Sequence, residues 1–338
     1  MRKLLTAVVA LVMIAGFAQA QTSLLDEIKL RGEMSCGVNQ SLPGFGVIDS
    51  AGNFTGFDID FCRAVAAAVL GDSEAVSYRA LTASERFTAV QTGEVDVLIR
   101  NTTWTSSRDS EVGLNFAPTT FYDGQGFMVK RASGISAVGD FEGTTICVQS
   151  GTTTELNLAD VMAALDITYT PLVFETADQV FAAYEADQCE SVTTDMSGLV
   201  SRSTLLQDPA ASVILPLTIS KEPLGPAVLH GDDTWFDVVK WVTFGLFFAE
   251  EYGITSANVR DVAATAQAPV VRRFLGLDGQ AMQQLGLEAD AMITMIEQVG
   301  NYGEIFARNL GPDTQFGLER GLNALYTEGG LLYSPPFR

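Results

Sequence analysis

The chain has 338 residues and carries 41 Asp+Glu against 20 Lys+Arg, a formal net charge of -21. So acidic a surface repels phosphate backbones and anionic headgroups, which argues against nucleic acid or an anionic membrane surface as partner. With 47% hydrophobic residues, it has ample material for packed cores.

"MRK", then "LLTAVVALVMIAGFA", then "AQA" at Ala18–Ala20 reads as a secretory signal peptide over residues 1–20, cut before Gln21. Its apolar run is shorter than the ~20 residues a spanning helix needs, which argues against a membrane anchor. No cysteine follows the cut. The later run "WFDVVKWVTFGLFFAEEYG" is interrupted by Asp237 and Lys240. The mature chain is therefore expected to be exported to the periplasm, with no direct membrane insertion. Losing Arg2 and Lys3 takes its charge from -21 to -23.

Export makes the four cysteines, Cys36, Cys62, Cys147 and Cys189, disulfide candidates. Three pairings are open. Chain order favours Cys36 with Cys62 and Cys147 with Cys189, each loop adding roughly 3–4 kcal/mol. No C-x-x-C occurs and His230 is the single histidine, so no zinc site is expected, and no cofactor motif appears.

From Met34 the pattern alternates. "MSCGV" reads as a strand and "GFDIDFCRAVAAAVLG" as a helix stopped by Gly71. "AVSYRAL" is a strand, "SERFTAVQTG" a helix with Ser84 as N-cap and Gly93 as terminator, and "VDVLI" a strand. A second unit repeats this: "TTICVQ", the helix "TTTELNLADVMAAL", "ITYTPLVF", the helix "TADQVFAAYEADQC", and "ESVTTD". Alternation of this kind means mostly parallel sheets covered by helices. The expected architecture is α/β in two hinged lobes. Residues 21–128 with 224–270 form lobe 1 and 129–223 lobe 2, followed by a helical C-terminal extension over 271–338. There "ADAMITMIEQVG" and "ERGLNALYTEGG" read as amphipathic helices. Two chain crossings make a hinge and place a ligand in the cleft.

Within "VDVLIRNTTWTSSRD", Arg100 and Arg108 bracket a run of hydroxyl and amide side chains. A planar guanidinium grips two carboxylate oxygens at once, and Arg108 follows a strand end, where open α/β sheets place ligands. The competing reading pairs Arg108 with Asp109 or Glu111 on the surface. "SGTTTE", between a strand and a helix, offers backbone N–H groups to an anion; it is equally a Thr cap with Glu155 as its partner. Asp195 ends a strand and is otherwise a cap for "MSGLVSR".

These stretches, with "YDGQGFMV", "ISKEPLGPAV", "GNYGEIFARN" and "RGLNALYTEGGLLYSPPFR", resemble the solute-binding proteins of polar amino-acid ABC importers. The resemblance runs from Met34 to Arg338 and is closest to the general subfamily for glutamate, glutamine, aspartate and asparagine. It implies a hinged two-lobe, type II-like periplasmic binding fold, a free L-amino acid as ligand and delivery to an inner-membrane ABC permease complex. By that resemblance Arg108 clamps the α-carboxylate, helped by Asn101, Thr103, Thr152 and Thr153. Asp195 receives the ammonium, Arg86 and Arg100 reach the side chain, and Asn39 adds a polar contact. Phe45 is a candidate cleft wall, against simple core packing. The chain departs from many relatives in having Asn101 for glycine and Gln149 for a basic residue, which weakens any strict tuning to dianions.

Two other functions compete. An enzyme on the same scaffold, a dehydratase of prephenate-like acids, needs a group poised near neutral pH. His230 lies outside the cleft motifs, leaving a carboxylate such as Glu222. A ligand-loaded adaptor for a chemoreceptor would share the same cleft.

Overall fold

The computed structural model describes residues 23–338; the signal segment read over 1–20 lies outside them. Two five-stranded sheets organise the chain. The first runs in the order Val76–Ala80, Met34–Val38, Val97–Leu98, Ala227–Leu229, Leu114–Phe116. Its first three strands are parallel, and Ala227–Leu229 enters antiparallel. The second runs Thr170–Phe174, Thr145–Gln149, Ser191–Asp195, Gln125–Lys130, Ser212–Ile214. Again three strands are parallel and Gln125–Lys130 is antiparallel to both neighbours. This is the two-lobe α/β architecture of periplasmic binding proteins.

Two short strands, Phe121–Asp123 and Glu222–Leu224, pair antiparallel and carry the chain between the sheets. Each lobe has one disulfide. Cys36–Cys62 ties the strand Met34–Val38 to the helix Phe57–Leu70, and Cys147–Cys189 ties Thr145–Gln149 to the approach of Ser191–Asp195.

The helix Phe57–Leu70 is apolar nearly all round because it is covered nearly all round. The first sheet lies on one side, and the helices Asp233–Glu251 and Ala291–Val299 lie on others. Gly56 precedes it at φ 137°, where an added Cβ would sit 2.3 Å from the Phe45 carbonyl oxygen, so only glycine fits. Phe45 is fully buried, its ring against Phe57 and Phe121. It is core packing and not a cleft wall.

Two local expectations fail. Ser84 does not cap the helix Arg86–Gln91. Thr82 and Glu85 instead exchange hydrogen bonds one turn earlier, each side chain accepting from the other's backbone N–H. "ADAMITMIEQVG" does form the helix Ala291–Val299, but "ERGLNALYTEGG" forms only the 3-10 turns Gly321–Asn323 and Tyr326–Glu328. Gly321 and Gly329 take φ of 50° and 89°, which breaks any continuous helix.

That irregular segment has a task at the crossing. The Asn323 amide accepts from the Tyr122 N–H at 2.6 Å and donates to the Tyr122 carbonyl at 3.1 Å. Asn323 thus completes the free edge of a connecting strand as a third strand would. Arg320 beside it makes a two-point pair with Glu250 on the long helix. Asn323→Ala strands both Tyr122 groups, and urea denaturation should show a loss of about 1–3 kcal/mol. A change below about 0.5 kcal/mol, the size of a neutral surface substitution, would show that water replaces the amide freely.

Candidate functional site

The parallel strands of both sheets end toward the gap between lobes, the usual ligand position in open α/β sheets. A cavity of about 50 Å³ lies there, room for roughly four water molecules. Asn39, Arg86, Arg100, Asn101 and Thr103 line it from the first lobe, and Thr152, Thr153 and Asp195 from the second. Eight of the nine residues picked out from sequence thus meet around one space.

Arg108 is the exception. It is buried just behind the wall, donating from Nη1 to the Thr103 carbonyl at 2.6 Å. Its guanidinium lies 4.9 Å from the Phe87 ring centre, and that of Arg86 lies 4.8 Å from the same ring. It pairs with neither Asp109, which accepts from the Trp104 indole, nor Glu111.

Asp195 does not cap the following helix. Among the described residues nothing hydrogen-bonds its carboxylate, although it is only 8% exposed. Arg86, 3% exposed, is almost as poorly served. Its Nε has no partner, and its terminal nitrogens make only long contacts, 3.5 Å to Thr102 Oγ1 and 3.3 Å to the Gly151 carbonyl across the cleft. An unpaired acid and an under-paired base therefore face one cavity from opposite lobes.

Thr103 and Thr153 are committed elsewhere. Each hydroxyl has one proton to give, and both donate to Glu222 Oε2, at 2.7 and 2.8 Å. Asn157 and Ser220 donate to Oε1 at 2.7 and 2.6 Å. The two threonines therefore meet the cavity as acceptors. Thr152 caps its helix, accepting from the Glu155 N–H, while Glu155 accepts from Gly151 N–H. The cap does not use up the turn, because the first helical N–H groups after a cap still lack intrahelical partners.

Burial pushes the Arg86 guanidinium well down, with Arg108 and Arg100 repelling it further; Asp195 and Glu222 oppose. Burial lowers Arg100 and Arg108 to about 10. Burial raises Asp195 well above the carboxylate range, and Asp123 and Glu222 add to this. Burial also raises Asp123 to about 6. Charges of both signs are thus held short of satisfaction.

Sequence reading missed Arg202. It lines the cavity from the second lobe, donating across the gap to the Ser41 carbonyl at 2.8 Å and to Asp178 at 2.6 Å. Its place on a helix beside Ser201 gave no signal. Asp123 and Asp58 were missed too, since neither lies in a chemical motif.

Two lobes closing on a cavity of unpaired opposite charges define a binding protein for a small charged solute. The chain belongs to the bacterial extracellular solute-binding proteins, family 3, whose model matches residues 34–312. It is 52% identical over 326 residues to the glutamate/glutamine/aspartate/asparagine-binding protein of Rhodobacter capsulatus, covering 96% of each chain. It is 50% identical over 339 residues to the general L-amino acid-binding periplasmic protein of Rhizobium johnstonii, covering 99% of each. A solved Brucella ovis periplasmic binding protein with glutathione bound superposes with a TM-score of 0.91 at 48% identity, over 94% of this chain and 99% of that one. No helix among the described residues is long and apolar enough to cross a membrane.

Asp58 generates a pH test. Burial raises it to about 7, against the Asn101 N–H that donates to it at 2.7 Å and the charge of Arg100. The folded chain then holds a proton that an unfolded Asp, with pKa ~3.9, has released. Its contribution is complete below that value and is lost as pH rises through about 7. The thermal midpoint should fall between about pH 5 and about pH 8, and fall less in Asp58→Asn. Equal falls in both proteins would mean that Asp58 stays ionised in the fold.

Proposed function

We propose that this chain is the periplasmic binding component of an ABC importer for polar and acidic L-amino acids: glutamate, glutamine, aspartate and asparagine. After removal of residues 1–20 it captures the free amino acid, closes on it and delivers it to an inner-membrane permease complex. The carrying observation is the pairing of Asp195, without a hydrogen-bond partner, with under-paired Arg86 across one cavity. A zwitterion relieves both at once, and nothing simpler does, because a lone anion leaves Asp195 worse off.

In this reading the ammonium sits on Asp195 and the α-carboxylate on Arg86, with Arg108 adding charge from behind. The N–H groups opening the helix Thr153–Ala164 face the same anion. Arg100 and Asn39 are left for the side chain. The names of the two relatives support amino acids of this set. The glutathione held by the Brucella ovis protein supports a cleft that reaches beyond a free amino acid. The relatives are named as binding proteins, and the chain is read as a clamp that returns its ligand unchanged.

Calorimetric titration of the stripped protein with the twenty amino acids should give tight binding for the four named ones, and mass spectrometry should recover each intact. Binding confined to apolar amino acids, or turnover, would overturn the reading. Arg86→Ala should weaken all four alike, by ~2–5 kcal/mol, because it removes a contact to a shared group. If glutamate alone weakens, Arg86 reads the side chain instead.

A further inference from the structure

Asp195, Gly198 and Arg202 line the cavity from one stretch of chain. Asp195 stands just before the helix Met196–Ser203, and the other two lie within it. Steps of three and then four residues put them in one row on one helix face. Leu199, off that row, is packed into the second-lobe core. Gly198 brings no side chain to interrupt the row. The rise from Asp195 to Arg202 is about 10 Å, and a helical side chain leans back toward the N-terminus, which shortens the gap between the two charged groups.

Arg202 ends that row as a cation short of partners. It is 6% exposed, and its guanidinium carbon lies 5.0 Å from the centre of the Phe181 ring. Nη1 donates to the Ser41 carbonyl and to Asp178, which uses both of its protons. Nε is buried without a partner, and among the described residues Nη2 has none either. Those two nitrogens form one edge of the guanidinium, the geometry that grips a carboxylate at two points. Asp178 leaves the charge poorly compensated, because its side chain is 65% exposed and screened by water. An acceptor from outside belongs on the free edge.

The space between the two ends of the row suits a short aliphatic link. Leu42, Val180 and Phe181 line it with Gly198 and offer methylene groups an apolar flank. Arg100 faces the same cavity from the first lobe, so its distance to Asp195 changes as the lobes open and close. The distance from Asp195 to Arg202 is set along one helix and does not change. The second lobe therefore holds a fixed length against which a ligand is measured.

We propose that Arg202 is a specificity-determining residue of the clamp, and that the row of Asp195, Gly198 and Arg202 selects amino acids by length. With the ammonium on Asp195, the ligand side chain passes over Gly198 and its terminal oxygen meets the free edge of Arg202. Glutamate and glutamine reach further along the row, by one methylene, than aspartate and asparagine. The longer member of each pair bridges both ends. This rests on the placement of the ammonium proposed above. It gives the second lobe a choice that Arg86 cannot make, since Arg86 holds a group common to all four.

The test titrates the stripped full-length mature protein with L-glutamate, L-aspartate, L-glutamine and L-asparagine. Charge is matched within the acid pair and within the amide pair, so each ratio of affinities reports length alone. Wild type should prefer the longer member of each pair by about tenfold or more, and Arg202→Met should bring each pair within about threefold. Arg202→Lys keeps a cation over Phe181 but not the planar edge. It should lower each preference at least about threefold, and it carries the test if Arg202→Met does not fold. A fall of all four affinities by one factor would show that Arg202 acts only through its contact with Ser41, and would overturn the proposal. So would unchanged affinities, or a wild type that prefers the shorter members. A wild type that binds none of the four overturns the clamp itself.

Discussion

Glu222 lies on the second connecting strand, is 1% exposed, and accepts from Thr103 of one lobe and Thr153 and Asn157 of the other. A buried carboxylate is tolerable only when hydrogen-bonded and compensated in charge. Those conditions are met here by donors from both lobes together, and Glu222 is in turn the foremost opposing charge acting on Arg108. The closed arrangement of the cleft follows from this. Thr103 and Thr153 are brought within 3.2 Å of each other because they serve one oxygen. Arg86 then comes within reach of the Gly151 carbonyl on the opposite lobe. The arginines are placed where their repulsion of one another is only partly cancelled by Asp195 and Glu222.

The sequence carried the alternation of strands and helices well, because period-two and period-3.6 apolar patterns record burial directly. Glycines did the rest: Gly71 ends the helix Phe57–Leu70 with an N–H to the Ala67 carbonyl, as read. The cavity residues were legible where they end strands or open helices, since those positions are fixed by topology. What could not be read was which side of the wall a side chain takes. Arg108 and Arg86 flank the same phenylalanine, and spacing alone gives no means of choosing the one that faces inward. Nor could spacing reveal that two threonine hydroxyls are already spent on a glutamate roughly seventy to one hundred and twenty positions later, because such contacts are non-local in sequence. The connecting strands, three residues each, are too short to show periodicity.

The C-terminal segment illustrates a different limit. Its composition resembles a helix, and its glycines deny one. Its value lies in one amide, Asn323, which has the donor and acceptor needed to mimic a strand's backbone. With Arg320 anchored on Glu250, the extension holds the first connecting strand against the long helix Asp233–Glu251. The lobes on either side of the connecting strands are each tied by their own disulfide.

Arg202 and Ser201 reach from the second lobe to the carbonyls of Ser41 and Pro43 on the first, at 2.8 and 2.6 Å. They close the outer rim. A solute inside is therefore fenced at both ends by contacts it does not itself make. A solute that spans both lobes adds its own grip to that of the rim, so the rim contacts and the solute's contacts must be broken together. Unloading on demand would require an outside body that separates Ser41 from Arg202 mechanically, and the rim is the place where that leverage acts.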